Sequence, residues 1–440
     1  GIVVVVSMVE LEVGSANGVV DNVEGSVTIP KVGVQGLSDK SVATKLESSK
    51  VPLGDAGREA VLEGWRKPYN IPEEFPEMSA VLGCIPKHCF EKPLYKSMIY
   101  ALISVFLTLA FPIIAWKVLP SPALNLWSIL CWTMYAFWEG SIATGCWVVA
   151  HECGHNAFCE NKYIQDSVGF VLHSALLVPY FSWQRSHAVH HSRTNHMSEG
   201  ETHVPQQAVD SSGGASMALY QWIGEDSFAV INLINHLVFG WPAYLLFGAT
   251  GSPKRGPSNH FVPTNDRLFP GNWKWKVLLS DVGILCTIAA LVQWSRMYGS
   301  KQVLVLYMAP YLFVNMWLVL YTWLQHTDVD VPHFDEPEWT WLKGAFMTID
   351  RPYPEPFDFL HHRIGSTHVA HHICSRIPHY HAQEATEAIK KNFPQFYLYD
   401  PTPIVPALLR VARKCVATVP EGNRHYYTFP KDASTALKTE

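Results

Sequence analysis

Three groups of histidines dominate the chemistry that this sequence could carry. Residues 151–155 read HECGH, and residues 187–191 and 368–372 read HAVHH and HVAHH. Spacings of three and four residues bring side chains to one face of a helix, one turn apart. Each group therefore predicts a helix that directs its imidazoles to one point, where they could bind a metal. The histidines are His151, His155, His187, His190, His191, His368, His371 and His372.

The type and number of these ligands indicate the metal. Imidazole suits zinc, copper, iron and nickel, and Cys153, the one cysteine inside a group, is turned off the ligand face. The three groups exceed what one tetrahedral zinc ion needs, and they suffice for two metal ions with open positions for dioxygen. A centre of two iron ions is the natural fit. His326, in TWLQHT, is a further candidate ligand, although a histidine at a membrane end also fits an interfacial side chain.

Membrane helices are the elements that must position these groups. Four apolar runs have spanning length, namely 97–116, 127–150, 278–294 and 303–324. The stretches 168–183 and 229–249 contain proline and histidine, and we expect them to lie at the interface or to re-enter. Histidine groups that cooperate must be separated by an even number of crossings, so 229–249 should not cross.

The predicted fold is an all-α integral membrane protein. Four transmembrane helices form two hairpins, and a cytosolic helical cap holds a histidine-ligated di-iron site. The connections 117–126 and 295–302 carry few basic residues, as non-cytoplasmic loops do. We predict a disordered cytosolic tail over 1–55, one catalytic domain over 56–420 and a C-terminal tail over 421–440. The first segment has acids and lacks arginine, which disfavours a transit peptide.

The composition bears on which other classes of protein the sequence could belong to. The net charge of −5, without a long basic block, disfavours a nucleic-acid partner. The cysteines form no CxxC pair and fit a reducing compartment. Cys84 and Cys89 flank His88, but no matching second pair follows, so we interpret them as packing residues. A metal transporter would need polar residues deep inside several spans. A sterol or alkane hydroxylase with similar histidine groups is a further alternative.

Beyond the histidine groups, the sequence resembles the membrane-bound acyl-lipid desaturases of the delta-12 (oleate) type. The resemblance extends from IPKHCF at residue 85 to EATEAIK at residue 390. It is carried by AHECGHNAF, VGFVLHSALLVPYFSWQRSHAVHH, ETHVP, QHTDVDVPH and STHVAHHICSRIPHYHAQEA. It implies that the eight grouped histidines ligate two irons. It also implies that His326 corresponds to a further ligand inferred for related desaturases.

The resemblance also implies a reaction and its partners. Two irons reduced by an external donor activate dioxygen and convert an oleoyl chain to a linoleoyl chain with a cis double bond. The implied donor is cytochrome b5 with its reductase, the substrate is an acyl lipid such as phosphatidylcholine-bound oleate, and the location is the endoplasmic reticulum membrane. The apolar residues near the histidine groups are candidates for a substrate tunnel, namely Phe181, Trp183, Ile373 and Ile377.

Some positions depart from the family pattern. Asn156 stands where plant members carry a further histidine, and Ala188 and Val189 replace a basic pair. These departures resemble algal or other microbial members. The omega-3 desaturases and the hydroxylases of the family share the histidine groups and are the alternatives. Ala150 and Glu152 resemble ordinary desaturases more than the hydroxylating or acetylenic variants.

Overall fold

The computed structural model describes residue 59 and residues 62–427, except for the side chains of 211 and 212. The predicted tail over 1–55 lies outside the described residues. Helices predominate, as predicted. Before and within the membrane region they are α1 Met78–Cys84, α2 Leu94–Val118, α3 Leu126–Gly154, α4 Lys162–Ala175, α5 Tyr180–Ser192, α6 Ser211–Ile223, α7 Glu225–Phe247, α8 Trp273–Tyr298 and α9 Ser300–His326. The later ones are α10 Trp341–Phe346, α11 Glu355–Leu360, α12 His368–Ile373, α13 His379–Asn392 and α14 Ile404–Lys414.

The strands are short. They are β1 His333–Phe334, β2 Ile349–Asp350, β3 Leu398–Tyr399, β4 Thr418–Glu421 and β5 Arg424–Tyr427. The strands β4 and β5 form an antiparallel hairpin, β1 pairs with β5 antiparallel, and β2 pairs with β3 parallel. The predicted C-terminal tail, 421–440, therefore begins inside this hairpin. Residues 428–440 lie outside the described part of the chain.

Among the described residues, four helices are long and apolar enough to cross a membrane: α2, α7, α8 and α9. Three of them contain the predicted spans 97–116, 278–294 and 303–324. The predicted span 127–150 lies in α3, which has 29 residues. At about 1.5 Å per residue this helix is also long enough to span the apolar core of a bilayer. It is not among the four because its composition is less apolar.

The central position of α3 explains this composition. It packs against α2, α4 and α9 and buries Glu139 and Ser141. The indole of Trp317 on α9 donates to the hydroxyl of Ser141 at 2.8 Å. Gly140 permits this close approach, because a Cβ there would lie 2.5 Å from that of Phe313. The polar side chains of α3 therefore meet protein and not lipid.

The long helices run so that the histidine groups lie at one end. Ala101 near the start of α2 packs with Val149 near the end of α3, so this pair is antiparallel. Ser280 near the start of α8 accepts a hydrogen bond from the backbone of α5, which carries the second histidine group. At the other end, Nζ of Lys301 donates to the carbonyl of Pro122 at 3.2 Å. The two short connections therefore meet opposite the histidines.

The position of α7 differs from a simple span. The sequence predicts that 229–249 does not cross, although α7 satisfies the length and composition of a span. Glu225, at its start, accepts from Lys414 of α14 at 2.9 Å. Thr250, just past its end, accepts at its carbonyl from the backbone of Val204 at 2.9 Å. Both partners belong to segments at the histidine end. Both ends of α7 therefore contact the histidine end, and the expectation that 229–249 does not cross stays a prediction.

The segment from α10 to α13 shares a hydrophobic core with α1 and the residues that follow it, and these parts are called the cap. Phe346, Ile349, Val369 and Ile389 are fully buried in this core and join α10, β2, α12 and α13. Asp350 accepts at Oδ1 from the backbone of Val369 at 3.0 Å. This bond satisfies a free N–H in the first turn of α12, which carries the third histidine group. This bond therefore holds the third histidine group to the core of the cap.

A buried network of charged groups joins the cap to the end of α9. It comprises Arg66, Asp328, Asp330, Arg351, Asp400 and Arg410. Nη2 of Arg410 lies 2.7 Å from Oδ2 of Asp328, and Nη2 of Arg66 lies 2.6 Å from Oδ1 of Asp330. Burial alone would raise the pKa of Asp328, but the guanidinium groups around it lower that pKa below its usual value. Asp328 is therefore a carboxylate at neutral pH.

Candidate metal centre

Five histidines converge at the end of α3 and form the first cluster. Helix α3 with its C-cap residue His155 supplies two of them, α5 supplies two and α12 supplies one, and their ligand atoms all lie within 4.8 Å of one another. Neighbouring Nε2 atoms are 3.0 to 3.2 Å apart. The members of the first cluster are His151, His155, His187, His191 and His371.

Four histidines form the second cluster, at the end of α9. The ligand atoms of His190, His326 and His372 lie within 4.8 Å of one another. Nε2 of His368 is 3.0 Å from Nε2 of His326, which adds a fourth imidazole. The ring of His191, from the first cluster, stacks on that of His372 at 4.1 Å between centroids. The two clusters therefore adjoin, and together they contain all nine predicted ligands.

The ring nitrogens have the spacing of metal ligands. Two Nε2 atoms that bind one cation at about 2.1 Å, at a right angle, lie about 3.0 Å apart. Many of the remaining ring nitrogens are buried without a hydrogen-bond partner, among them Nε2 of His372. Burial lowers the pKa of His190 and of His371 to about 3, so these imidazoles are neutral at physiological pH. Neutral imidazole is the form that binds metal, and the two clusters can therefore hold metal ions.

Helix geometry divides the second histidine group between the two clusters. His187 and His191 are four residues apart on α5 and share a face, and both belong to the first cluster. His190 is directed to the second cluster, where it meets α9 and α12. One helix therefore supplies both clusters and holds them next to each other.

Two supporting contacts were not assigned from the sequence. The hydroxyl of Thr194 lies 3.1 Å from Nδ1 of His372, which leaves Nε2 of that ring free for the second cluster. Thr194 lies beyond the end of α5, so helical spacing in the sequence does not place it. The carboxylate of Glu152 accepts from the backbone of His379 at 2.5 Å and lies 2.7 Å from its Nδ1. This pair ties α3 to α13 beside the first cluster.

The tunnel candidates separate into two pairs. The ring of Trp183 stacks on that of His187 at 4.5 Å, and Ile377 lines a cavity with His371. The structure does not bring the other pair to the clusters. Phe181 packs with aromatic residues of α4 and α5, and Ile373 is buried in the core of the cap. Phe181 is two residues before Trp183, which turns it to the opposite side of α5.

The chain matches known proteins over most of its length. The family model described as "Fatty acid desaturase" matches residues 125–402. The Delta(12)-fatty-acid desaturase of Arabidopsis thaliana is 38% identical over 358 residues, which cover 80% of this chain and 90% of that protein. "Omega-6 fatty acid desaturase, endoplasmic reticulum isozyme 1" of Glycine max is 36% identical over 381 residues, covering 85% and 95%. The Oleoyl-12-hydroxylase of Ricinus communis is 39% identical over 337 residues, covering 77% and 85%.

The matched range includes both histidine clusters and the helices that carry them. The resemblance inferred from the sequence motifs is thereby confirmed at the level of the family. Helices of spanning length, adjoining histidine clusters and the family model agree with one another. The chain belongs to the fatty acid desaturase family and is a multi-pass membrane oxidoreductase.

Proposed function

We propose that this protein is an acyl-lipid delta-12 desaturase that converts oleoyl chains to linoleoyl chains. The observation that carries the proposal is the pair of adjoining histidine clusters in a chain with several relatives named for delta-12 desaturation. A membrane site of this kind suits an apolar substrate that enters from the bilayer. The proposed catalytic domain is 56–420.

The nine histidines are the proposed ligands of two iron ions, one in each cluster. Bound iron would supply activation of dioxygen and removal of hydrogen from unactivated methylene groups. The chain itself holds the ligands and excludes water. Trp183 covers His187, and Trp147 stacks on His151 at 5.4 Å between centroids. The second cluster has one imidazole fewer than the first, so an ion held there would have one more coordination position for a non-protein ligand.

The position of the new double bond depends on how the acyl chain lies past the clusters. Trp183 and Ile377 lie beside the first cluster and are the proposed determinants. Phe181 and Ile373 would act through the packing of α5 and α12. A shift of one carbon moves the reacting methylene by roughly an ångström, and misplacement of that size can cost on the order of a hundredfold in rate.

The proposed partners follow from the family and its membrane setting. Electrons would come from cytochrome b5 and its reductase, and the substrate would be oleate esterified to phosphatidylcholine. The proposed location is the endoplasmic reticulum membrane, which is supported by the name of the Glycine max relative. The helices of spanning length are consistent with such a location.

Expression in a yeast host that makes oleate and lacks linoleate tests the reaction. We expect linoleate to appear in the total fatty acids, measured by gas chromatography with mass spectrometry. The empty vector is the control. Formation of alpha-linolenate from supplied linoleate, without conversion of oleate, would favour an omega-3 desaturase. The hydroxylase is the second candidate because of the Ricinus communis relative, and it would give a hydroxylated product at carbon 12.

Glycosylation tags test the proposed topology. We expect tags after Gly1, between Glu199 and Pro205 and before Glu440 to stay unmodified, because the histidine end is proposed to face the cytosol. A tag at Gly299, in the connection opposite the histidines, should be modified when flanked by a spacer. Endoglycosidase-sensitive mobility on a gel is the measurement. Modification of the tag between 199 and 205 would contradict the model of four spans.

A further inference from the structure

A separate set of metal-binding side chains lies on the surface of the cap. His88 and Cys89 belong to a 3₁₀ turn, Lys87–Phe90, just before α2. His381 and Glu384 lie on α13, one turn apart. The four ligand atoms lie within 4.8 Å of one another, although His88 and Glu384 are 296 positions apart in the sequence. None of the four belongs to the two histidine clusters of the proposed di-iron centre.

The contacts in this set are close to those of a tetrahedral site. Nε2 of His88 lies 3.8 Å from Sγ of Cys89. A tetrahedral zinc ion with bonds of about 2.1 Å to nitrogen and about 2.3 Å to sulfur would separate these atoms by about 3.6 Å. The rings of His88 and His381 meet edge to face, with centroids 5.5 Å apart. Three of the four side chains therefore need little movement to share one ion.

The fourth side chain has freedom to adjust. Oε2 of Glu384 lies 2.7 Å from Nε2 of His88, shorter than the roughly 3.4 Å expected across a tetrahedral ion. The side chains of His88 and Glu384 are 51% and 50% exposed. Because both are half exposed, they can rotate apart without disturbing the core. Cys89 is fully buried and supplies a fixed point.

We propose that His88, Cys89, His381 and Glu384 form a binding site for one zinc ion. Thiolate and imidazole together select zinc among the abundant divalent cations, whereas magnesium and calcium prefer oxygen ligands throughout. Four protein ligands make a closed site, which is the pattern of structural zinc and not of catalytic zinc.

The structure supplies the second pair of ligands that the sequence pattern lacked. Cys89 and His88 have no matching pair nearby in the sequence, and the fold brings one from α13. An ion pair between His88 and Glu384 alone would account for two of the four groups. It would not require the thiol of Cys89 or the imidazole of His381 at the same point.

The site would join the segment before α2 to α13. Helix α13 also carries His379, which binds Glu152 next to His151 of the first cluster. Zinc binding would therefore anchor α13 from its exposed side. The expected consequence is a higher thermal unfolding temperature of the full-length protein when zinc is added.

Metal analysis of the full-length protein tests this site without reference to desaturation. Detergent-purified, iron-loaded protein is dialysed against zinc, and iron and zinc are measured by mass spectrometry. We expect one zinc per chain with no loss of iron. Cys89→Ser and His381→Asn should each weaken zinc binding by at least about tenfold. The matched controls Cys84→Ser and His425→Gln should retain it.

Cobalt binding provides a second readout. It is measured in the wild-type protein and therefore does not depend on the folding of Cys89→Ser or His381→Asn. Cobalt added to iron-loaded wild-type protein should give a thiolate charge-transfer band in the near ultraviolet, and Cys84→Ser should keep it. Absence of this band in the folded wild type would overturn the proposal. So would unchanged zinc affinity in both Cys89→Ser and His381→Asn, or loss of one iron for each zinc gained. None of these outcomes bears on whether oleate is converted to linoleate.

Discussion

Replacing His371 with alanine should reduce product formation to the background of the host while the protein still inserts into the membrane. Nε2 of His371 lies 3.1 Å from Nε2 of His191 in the first cluster. Removal of one imidazole would disturb both the geometry and the redox properties of a metal held there. Loss of a residue that only supports a ligand typically costs about 10- to 100-fold, so loss of a ligand should exceed that range.

The same experiment on the second cluster uses His190→Ala. His190 lies against His326 and His372, with ring centroids 4.7 and 5.1 Å away. We expect complete loss of product and a lower iron content in each purified variant. His425→Gln is the control, because His425 on β5 lies 2.8 Å from Asp335 and belongs to neither cluster. Near-normal turnover and iron content in either alanine variant would show that the site is wrongly assigned.

His326→Ala decides whether the ninth histidine is a ligand. The sequence left this residue open between a ligand and an interfacial side chain. In the structure it is buried, and its Nε2 lies 3.0 Å from that of His368. We therefore expect His326→Ala to lower the product level as far as His190→Ala does. Full activity would show that His326 lies beside the metal site and is not a ligand.

The convergence of the histidines was predictable because helical periodicity is local. A spacing of three or four residues fixes which side chains share a face, whatever lies around the helix. The division into clusters of five and four was not predictable. Helical spacing turns His190 away from the shared face of His187 and His191, but the crossing of α5 with α3 and α12 decides which cluster each face meets. Tertiary packing has no signature within one helix.

The membrane helices show a similar limit. Apolar composition identifies α2, α8 and α9 because these helices expose much of their surface. Helix α3 buries Glu139 and Ser141 inside the protein, so its composition is less apolar than that of the other long helices although it has spanning length. Helix α7 has the opposite character, being apolar although its ends contact segments at the histidine end. Hydropathy reports exposure to lipid, and it does not report the path of the chain.

The charged network behind α9 was not visible in the sequence at all. Arg66 and Asp330 are 264 positions apart, and no periodic pattern connects them. Each residue alone is an ordinary surface type, because charged residues are rarely buried unless they are paired. Their burial results from the meeting of four chain segments, at Arg66, Asp328, Arg351 and Arg410. Such a network can be recognised only after the fold is known.

Asp328→Asn should destabilise the protein by about 3–5 kcal/mol, the usual cost of breaking a buried ion pair from one side. Asp328 faces Arg66, Arg351 and Arg410 and is fully buried. The amide keeps the volume but removes the charge that compensates these guanidinium groups. Because the native pKa of Asp328 is lowered, its stabilising effect is complete above pH of about 4 and is lost only as the pH falls through the native value. The full difference in unfolding free energy between the wild type and the variant should therefore be present at neutral pH.

The measurement is the thermal unfolding midpoint of detergent-purified protein at pH 7, with iron content determined in parallel. Asp266→Asn is the matched control, because Asp266 is 77% exposed in its pair with Lys274 and should contribute less than about 1 kcal/mol. Asp328 follows His326 by two residues, so a loosened network should also release the end of α9 from the second cluster. We therefore expect Asp328→Asn to lose iron together with stability, whereas His326→Ala should lose iron with a smaller change in unfolding temperature. An unfolding midpoint for Asp328→Asn equal to that of Asp266→Asn would mean that the network does not hold the cap to α9.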